Sequence, residues 1–179
     1  MSSTDSIETE RLLLQPVTLA DLDEFVRLHE DPEVARFMGS PDRDWLVQWV
    51  EGNQREWSGL GYGRMTIRDR ETGNFLGRTG LKRWPQFEET EVGWALGPEA
   101  RGRGIATEGA AATLGWASER FDLPYVTAMI QPANLPSIAV AERLGMEPLR
   151  EDELLGVGVT VYSIEPSAFR PSLENRDVL

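Results

Sequence analysis

The stretch Glu91-Val-Gly-Trp-Ala-Leu-Gly-Pro-Glu-Ala-Arg-Gly-Arg-Gly-Ile-Ala-Thr-Glu108 limits what this chain can fold into more than any other. An apolar strand ends at Pro98. A tight loop, Arg101-Gly-Arg-Gly-Ile-Ala106, then opens a helix expected from about Ile105 to Phe121, with Ala110, Leu114, Ala117 and Phe121 along one side. Gly102 and Gly104 permit backbone geometry closed to other residues and leave room for a ligand. The first helical N–H groups have no acceptor inside the helix, and the helix dipole adds partial positive charge there. Arg101 and Arg103 add fixed charge, which makes the loop a phosphate cradle. The same residues also read as a glycine-softened helix start with solvated arginines. A dinucleotide fold would want a third glycine where Thr107 stands, and an early β-α-β unit. Here the loop comes late. No Gly-Lys-Ser/Thr string exists, so a nucleoside-triphosphate P-loop is excluded.

The elements around the loop follow from periodicity and punctuation. Arg11 to Gln15 reads as a first strand, stopped by Pro16. Thr18 to Glu30 reads as a helix, with Thr18 and Asp21 as its capping pair. A second helix runs from about Asp42 to Ser58. Tyr62 to Arg68, Phe75 to Trp84 and Glu91 to Leu96 read as antiparallel strands, joined by turns at Asp69–Gly73 and Pro85–Thr90. Tyr125 to Gln131 is an apolar strand, Asn134 to Leu144 a helix stopped by Gly145, and Glu147–Leu154 with Val157–Ile164 a closing hairpin. Residues 1–6 and 166–179 read as frayed tails. The expectation is one α/β (α+β) domain over 1–179. Its mixed, mostly antiparallel sheet is flanked by helices, with a β-α-β crossover around residues 91–131.

Composition removes several chemistries. No cysteine is present among the 179 residues, which excludes thiolate nucleophiles and cysteine-based metal sites. One histidine, His29, excludes metal sites built from several imidazoles, so no metal is expected. The formal charge of −12 argues against general nucleic-acid binding, which needs a cationic surface. It fits a cationic substrate and, more blandly, solubility. No apolar run spans a membrane, and the polar N-terminus does not read as a signal peptide, so a cytoplasmic protein without a membrane partner is expected. The sequence is silent on oligomeric state and compatible with a homodimer.

Three motifs, in order, resemble the GNAT superfamily of acyl-CoA-dependent N-acyltransferases, in the RimJ/RimL-like branch. The pyrophosphate loop Arg/Gln-x-x-Gly-x-Gly/Ala is matched by Arg101-x-x-Gly104-x-Ala106. Asn134-Leu-Pro-Ser137 followed by Leu144-Gly145-Met146 resembles Asn-x-x-Ser…Leu-Gly-Phe, with Met146 for the usual aromatic. Thr9-Glu-Arg-Leu-Leu-Leu resembles the start, with Gln15 where an arginine is common.

The resemblance implies acetyl-CoA as co-substrate and a GNAT-type sheet that splays between the strands near 91–96 and 125–131. Arg101, Gly102, Arg103, Gly104, Ile105, Ala106 and Thr107 would take the pyrophosphate. The pantetheine arm would pair with strand backbone at Trp94, Ala95 and Leu96, where an N–H near Trp94 or Ala95 would hold the thioester oxyanion. Asn134 would reach the arm, or simply cap its helix. Glu91 is the first candidate to take the proton of the attacking amine. The run Glu151-Asp152-Glu153 is the second, and water the third. Each of these acids also reads as a solvated or arginine-paired one.

Many GNAT proteins place a tyrosine four residues before the glycine of the Leu-Gly-Phe string. That position is Ala141 here. Ser137 remains as a hydrogen-bond donor to the leaving sulfur, or as a serine bonding its own helix. His29, on the apolar side of the first helix, is a weak catalytic candidate. Trp45, Trp49 and Trp57 read as core, and Trp84, Phe87 and Trp94 as pocket candidates. The expected activity is acetyl transfer to a primary amine, a protein N-terminus or a small molecule, by direct attack in a ternary complex. A non-catalytic acyl-CoA-binding module of the same fold and, more weakly, a nucleotide-binding domain are the alternatives.

Overall fold

Leu12, Leu14 and Pro16 are buried, whereas Gln15 between the last two is exposed, the alternation of a strand with one covered face. The computed structural model describes residues 5–169. Its strands are β1 (Ile7–Glu8), β2 (Leu12–Pro16), β3 (Arg64–Asp69), β4 (Phe75–Trp84), β5 (Glu89–Val92), β6 (Ala95–Leu96), β7 (Val126–Ile130), β8 (Glu147–Leu154) and β9 (Val157–Ile164). Its α-helices are α1 (Leu22–Glu30), α2 (Pro32–Met38), α3 (Arg43–Leu60), α4 (Ile105–Arg120) and α5 (Leu135–Arg143). The sheet runs β1-β2-β3-β4-β5-β7-β9-β8, with β6 paired to β4. Every pairing is antiparallel except β5 with β7. The mixed, mostly antiparallel sheet with flanking helices is the expected architecture.

Helices cover both faces. On one side α1–α3 enclose Val17, Phe25, Leu28, Leu46 and Val50, and Phe25 meets Trp49 and Phe75 at ring distances of 5.2 and 5.4 Å. On the other side Ile105, Ala110, Leu114 and Ala117 of α4 pack on Ile67, Leu81 and Val92. Gly109 lets α4 come close to the sheet: a Cβ there would lie 3.4 Å from Ile67 Cδ1 and 3.5 Å from Thr79 Cγ2. Among the described residues no helix is long and apolar enough to cross a membrane, and no group of three or more His, Cys, Asp or Glu side chains could hold a metal ion.

The structure corrects five expectations. A short strand, Ile7–Glu8, precedes the first expected one. A helix, Pro32–Met38, lies where none was expected. Asp31 caps it by accepting from Glu33 N–H and Val34 N–H, and Pro32 sits in its first turn. The strand expected at Glu91–Leu96 is two pieces, Glu89–Val92 and Ala95–Leu96. Finally, Pro166–Phe169 is a 3-10 turn rather than tail: Pro166 is buried, and Phe169 packs against α4 and the core. The rest of the two expected tails, 1–4 and 170–179, lies outside the described residues. Trp45 is also exposed rather than core, because α3 turns Leu46, Val50, Asn53 and Trp57 inward.

Candidate functional site

The Arg101–Ala106 loop has the backbone the glycines foretold. Gly102 and Gly104 have φ values of +70° and +76°, a region L side chains rarely adopt, and a Cβ on Gly102 would meet no atom within 4 Å. Gly104 is the N-cap of α4, so the first N–H groups of that helix open onto the cradle. Two clamps hold the loop. Arg11 Nη1 donates to Arg103 O (3.0 Å), while Arg11 Nε and Thr9 Oγ1 donate to the two carboxylate oxygens of Glu108 (2.7 and 2.5 Å). Thr9 and Arg11 thus tie the N-terminal segment to the first turns of α4. On the other flank Arg101 pairs with Asp31 and, at 3.1 Å, with Glu33. The Arg101 guanidinium holds the Asp31 carboxyl below its ordinary range. Much of the Arg101 charge is therefore spent on fixing α2 beside the loop, while Arg103 Nη1 rests on Glu99 O.

The break between β5 and β6 conceals a continuous register. Val92 opposes Leu81, Ala95 opposes Arg78, and Leu96 opposes Gly77 with no residue gained or lost. Gly93 N–H donates to Gly80 O and Gly97 N–H to Leu76 O (3.1 and 3.0 Å). In an antiparallel pair such bonds alternate along the strand. Ala95 therefore also turns its backbone toward β4, and Trp94 and Leu96 turn theirs toward the opposite edge. On that edge β5 and β7 are in register only at Glu91 and Thr127, after which the strands separate. The N–H and C=O groups of Trp94 and the N–H of Leu96 face the gap, while Leu96 O accepts from Arg101 Nη2 at 3.2 Å.

The gap opens into a cleft of about 770 Å3 that also reaches the cradle. Its lining includes Trp94, Ala95, Leu96, Arg101, Gly102 and Gly104, with Ile105, Ala106 and Thr107 of α4 and Asn134 and Ser137 of α5. Of the expected cofactor-binding residues, only Arg103 is not on this wall. Thr107 Oγ1 is buried without a hydrogen-bond partner. Asn134 is the N-cap of α5, its Oδ1 accepting from Ser137 N–H at 3.2 Å. Trp94 Nε1 donates to Ser137 Oγ at 3.3 Å, which leaves the serine hydroxyl free to donate in turn. Ala141 is fully buried in the core.

Neither of the two carboxylate candidates for the base lies on the cleft wall. Glu91 does not line the cleft. It is buried, and its Oε2 accepts from Arg64 Nη2 and Trp84 Nε1, each at 2.9 Å, while Oε1 faces Met129 N–H of β7 at 3.5 Å. This is an arginine-paired acid that knits the closed end of the gap. The second candidate, Glu151-Asp152-Glu153, lies on β8 at the sheet edge. Glu151 accepts from Thr160 Oγ1. Asp152 is held below its ordinary range, chiefly by the Glu153 N–H and then by Arg150. Among the described residues Glu33 is the only acid on the cleft wall.

His29 is buried with Nδ1 3.1 Å from Gly39 O, and burial, with help from the Arg78 charge, lowers its pKa. Trp57 is core, as its residue type suggested, and donates to Arg64 O. Trp84 and Phe87 stand away from the cleft, whereas Trp94 lines it. Sequence reasoning missed Arg64 as the partner of Glu91 and Asp31 as the partner of Arg101. Only the Asp31-Pro32 helix-start signature carried a readable signal.

Known proteins resemble this chain over most of its length. Residues 11–147 match the acetyltransferase (GNAT) domain family. The Bacillus subtilis (strain 168) protein YkkB is 32% identical over 154 residues, covering 82% of this chain and 87% of YkkB. The crystal structure of an acetyltransferase from Agrobacterium tumefaciens superposes with a TM-score of 0.80 at 32% identity, covering 92% of this chain and 96% of that one. At 17% identity, and so as a likeness of fold alone, RimL superposes with a TM-score of 0.76 over 89% of this chain and 97% of its own. That structure is described as a ribosomal alpha-N-protein acetyltransferase in complex with coenzyme A.

Proposed function

The chain belongs to the acetyltransferase (GNAT) domain family, and from that premise we propose that it is an acetyl-CoA-dependent N-acetyltransferase, moving an acetyl group to a primary amine by direct attack within a ternary complex. The observation that carries this reading is the single cleft joining the N-terminus of α4 to the backbone edge of Trp94 and Leu96 that faces away from β4. Its residues fit coenzyme A. The α4 N–H groups and the orphaned Thr107 hydroxyl would meet the pyrophosphate. The amides of the pantetheine arm would extend the sheet along 94–96. Arg36 and Arg143 add positive charge to this wall in a chain whose net charge is −12.

The Trp94 N–H, turned into the gap, is the donor for negative charge developing on the thioester oxygen; that facing supports Trp94 over Ala95 for the task. The amine nitrogen forms the new C–N bond, the C–S bond breaks, and the departing sulfur takes a hydrogen bond from Ser137 Oγ. Among the described residues no lining carboxylate other than the arginine-paired Glu33 is present, which favours water in the open cleft as the acceptor of the amine proton.

Acetyl-CoA at a hundred times Kd should stabilise the protein by roughly 2.7 kcal/mol, a rise in Tm of about 5–11 °C. No shift at millimolar acetyl-CoA sinks the proposal. Ser137→Ala should lower kcat by about tenfold, as expected for one lost hydrogen bond, with little change in KM for acetyl-CoA. A full rate removes Ser137 from the leaving-group step. The second reading, an acyl-CoA-binding module without turnover, draws support from alanine at position 141. Under that reading the thermal shift persists, but no thiol is released across a broad amine panel.

A further inference from the structure

The reaction as proposed leaves Arg78 without a task. It lies midway along β4, opposite Ala95 on one side and Thr66 on the other. Its Nε and Nη1 are buried with no hydrogen-bond partner. Its Nη2 meets the Met38 thioether at 3.7 Å, a weak acceptor. The guanidinium carbon stands 5.8 Å from the centre of the Trp49 ring. Among the described residues no carboxylate pairs with this charge, and Glu91, the nearby acid, is held by Arg64. Burial, and then the charge of Arg64, push the Arg78 pKa down to about 9. A buried cation with idle donors is costly, and an anion that enters beside it recovers that cost.

The position says what kind of anion. Met38 and Ala95, two of the neighbours of Arg78, both line the cleft. Ala95 sits between Trp94 and Leu96, whose backbone faces the gap. Arg78 is thus one strand away from the reacting carbonyl, on the side of the sheet covered by α1–α3. Met38 ends α2 and is followed by Gly39 at φ +76°. Its unbranched side chain can swing aside and open the guanidinium to the cleft.

We propose that Arg78 receives a carboxylate of the acceptor, so that the acceptor is a small aminocarboxylate, with its attacking amine and its anionic oxygens only a few bonds apart. A free amino acid has this form. A polyamine has no anion, and a protein N-terminus carries an amide where the carboxylate would be. The planar guanidinium fork matches a carboxylate with two parallel hydrogen bonds. This inference rests on the N-acetyltransferase reading.

The test measures thiol release with acetyl-CoA and matched pairs, each amino acid against its own amide, with spermidine and a short peptide as further acceptors. The wild-type protein should favour the acid of its preferred pair by about 10- to 100-fold in kcat/KM, the range for charge-assisted hydrogen bonds. In Arg78→Met the acid-to-amide ratio should fall to near one, through KM for the acid. Arg78→Lys keeps the charge without the fork and should give an intermediate ratio, so the test stays readable if the methionine variant does not fold. Equal or better use of the amides overturns the proposal, as does a ratio retained in Arg78→Met. Thiol release only with spermidine or the peptide, or with no acceptor at all, also overturns it. A wild-type protein whose Tm does not respond to acetyl-CoA fails the N-acetyltransferase reading itself. A normal acetyl-CoA shift without a preference for acids fails the Arg78 inference alone.

Discussion

Replacing Gly77 by alanine is expected to cost about 3 kcal/mol or more of folding stability and to abolish acetyl transfer. Gly77 pairs with Leu96 at the rim of the gap and has φ +150°. A Cβ there would stand 2.2 Å from Ala95 O and 2.9 Å from Leu96 Cα. Both obstacles are backbone, so neither can rotate away. The strand carrying the Trp94 and Leu96 amides would have to leave β4. Gly73 provides the control. Its φ of +75° is also unfavourable to alanine, but a Cβ there meets nothing within 4 Å. Gly73→Ala should therefore cost only about 1 kcal/mol. Urea unfolding of the two variants separates conformational cost from collision. Equal losses would mean that 95–96 yields freely and that its position is not fixed by β4.

The second large effect is expected at Glu91. Glu91→Ala leaves the Arg64 guanidinium buried without its carboxylate, removes the acceptor of Trp84 Nε1, and leaves Met129 N–H facing a void. Breaking a buried pair from one side costs about 3–5 kcal/mol, because the surviving charge stays desolvated. Glu91→Gln keeps an acceptor oxygen and should lose markedly less. Chemical denaturation of both variants measures this difference. The pH profile of kcat/KM decides the role of the residue. If the wild-type acidic limb disappears in a folded Glu91→Gln protein, Glu91 is the base after all. If the limb is shared, its position in the ion pair describes it fully.

What could be read from residues alone divides by distance along the chain. β4, β8 and β9 are local patterns of alternation and turn, and their predicted limits coincide with the observed ones. The 101–106 cradle was equally legible, because Gly102 and Gly104 mark positive φ wherever they occur beside a helix start. The partners were not legible. Arg64 and Glu91 are 27 residues apart and meet only because β3, β4 and β5 lie side by side. Arg101 and Asp31 are 70 apart. A sequence shows that Glu91 is acidic, but not that a guanidinium and an indole already hold it. The same limit hid Arg78, whose interest lies in the partners it lacks. The helix at 32–38 was missed for a different reason. At seven residues it is too short for periodicity to declare, and only Asp31-Pro32 announced it.

The unbroken pairing of residues 89–97 with β4 has a consequence for how this protein can change. The polar edge offered to the cleft is main chain, so it survives exchange of most side chains along it. It does not survive a change of count. One residue inserted or deleted between Gly93 and Gly97, whose N–H groups both bond β4, would reverse the facing of every amide beyond that point. It would turn the N–H groups of the gap into β4 and send those of β4 into the gap. This ribbon should therefore diverge freely in composition among related chains while holding its length, and length variation should collect in the loops at its two ends.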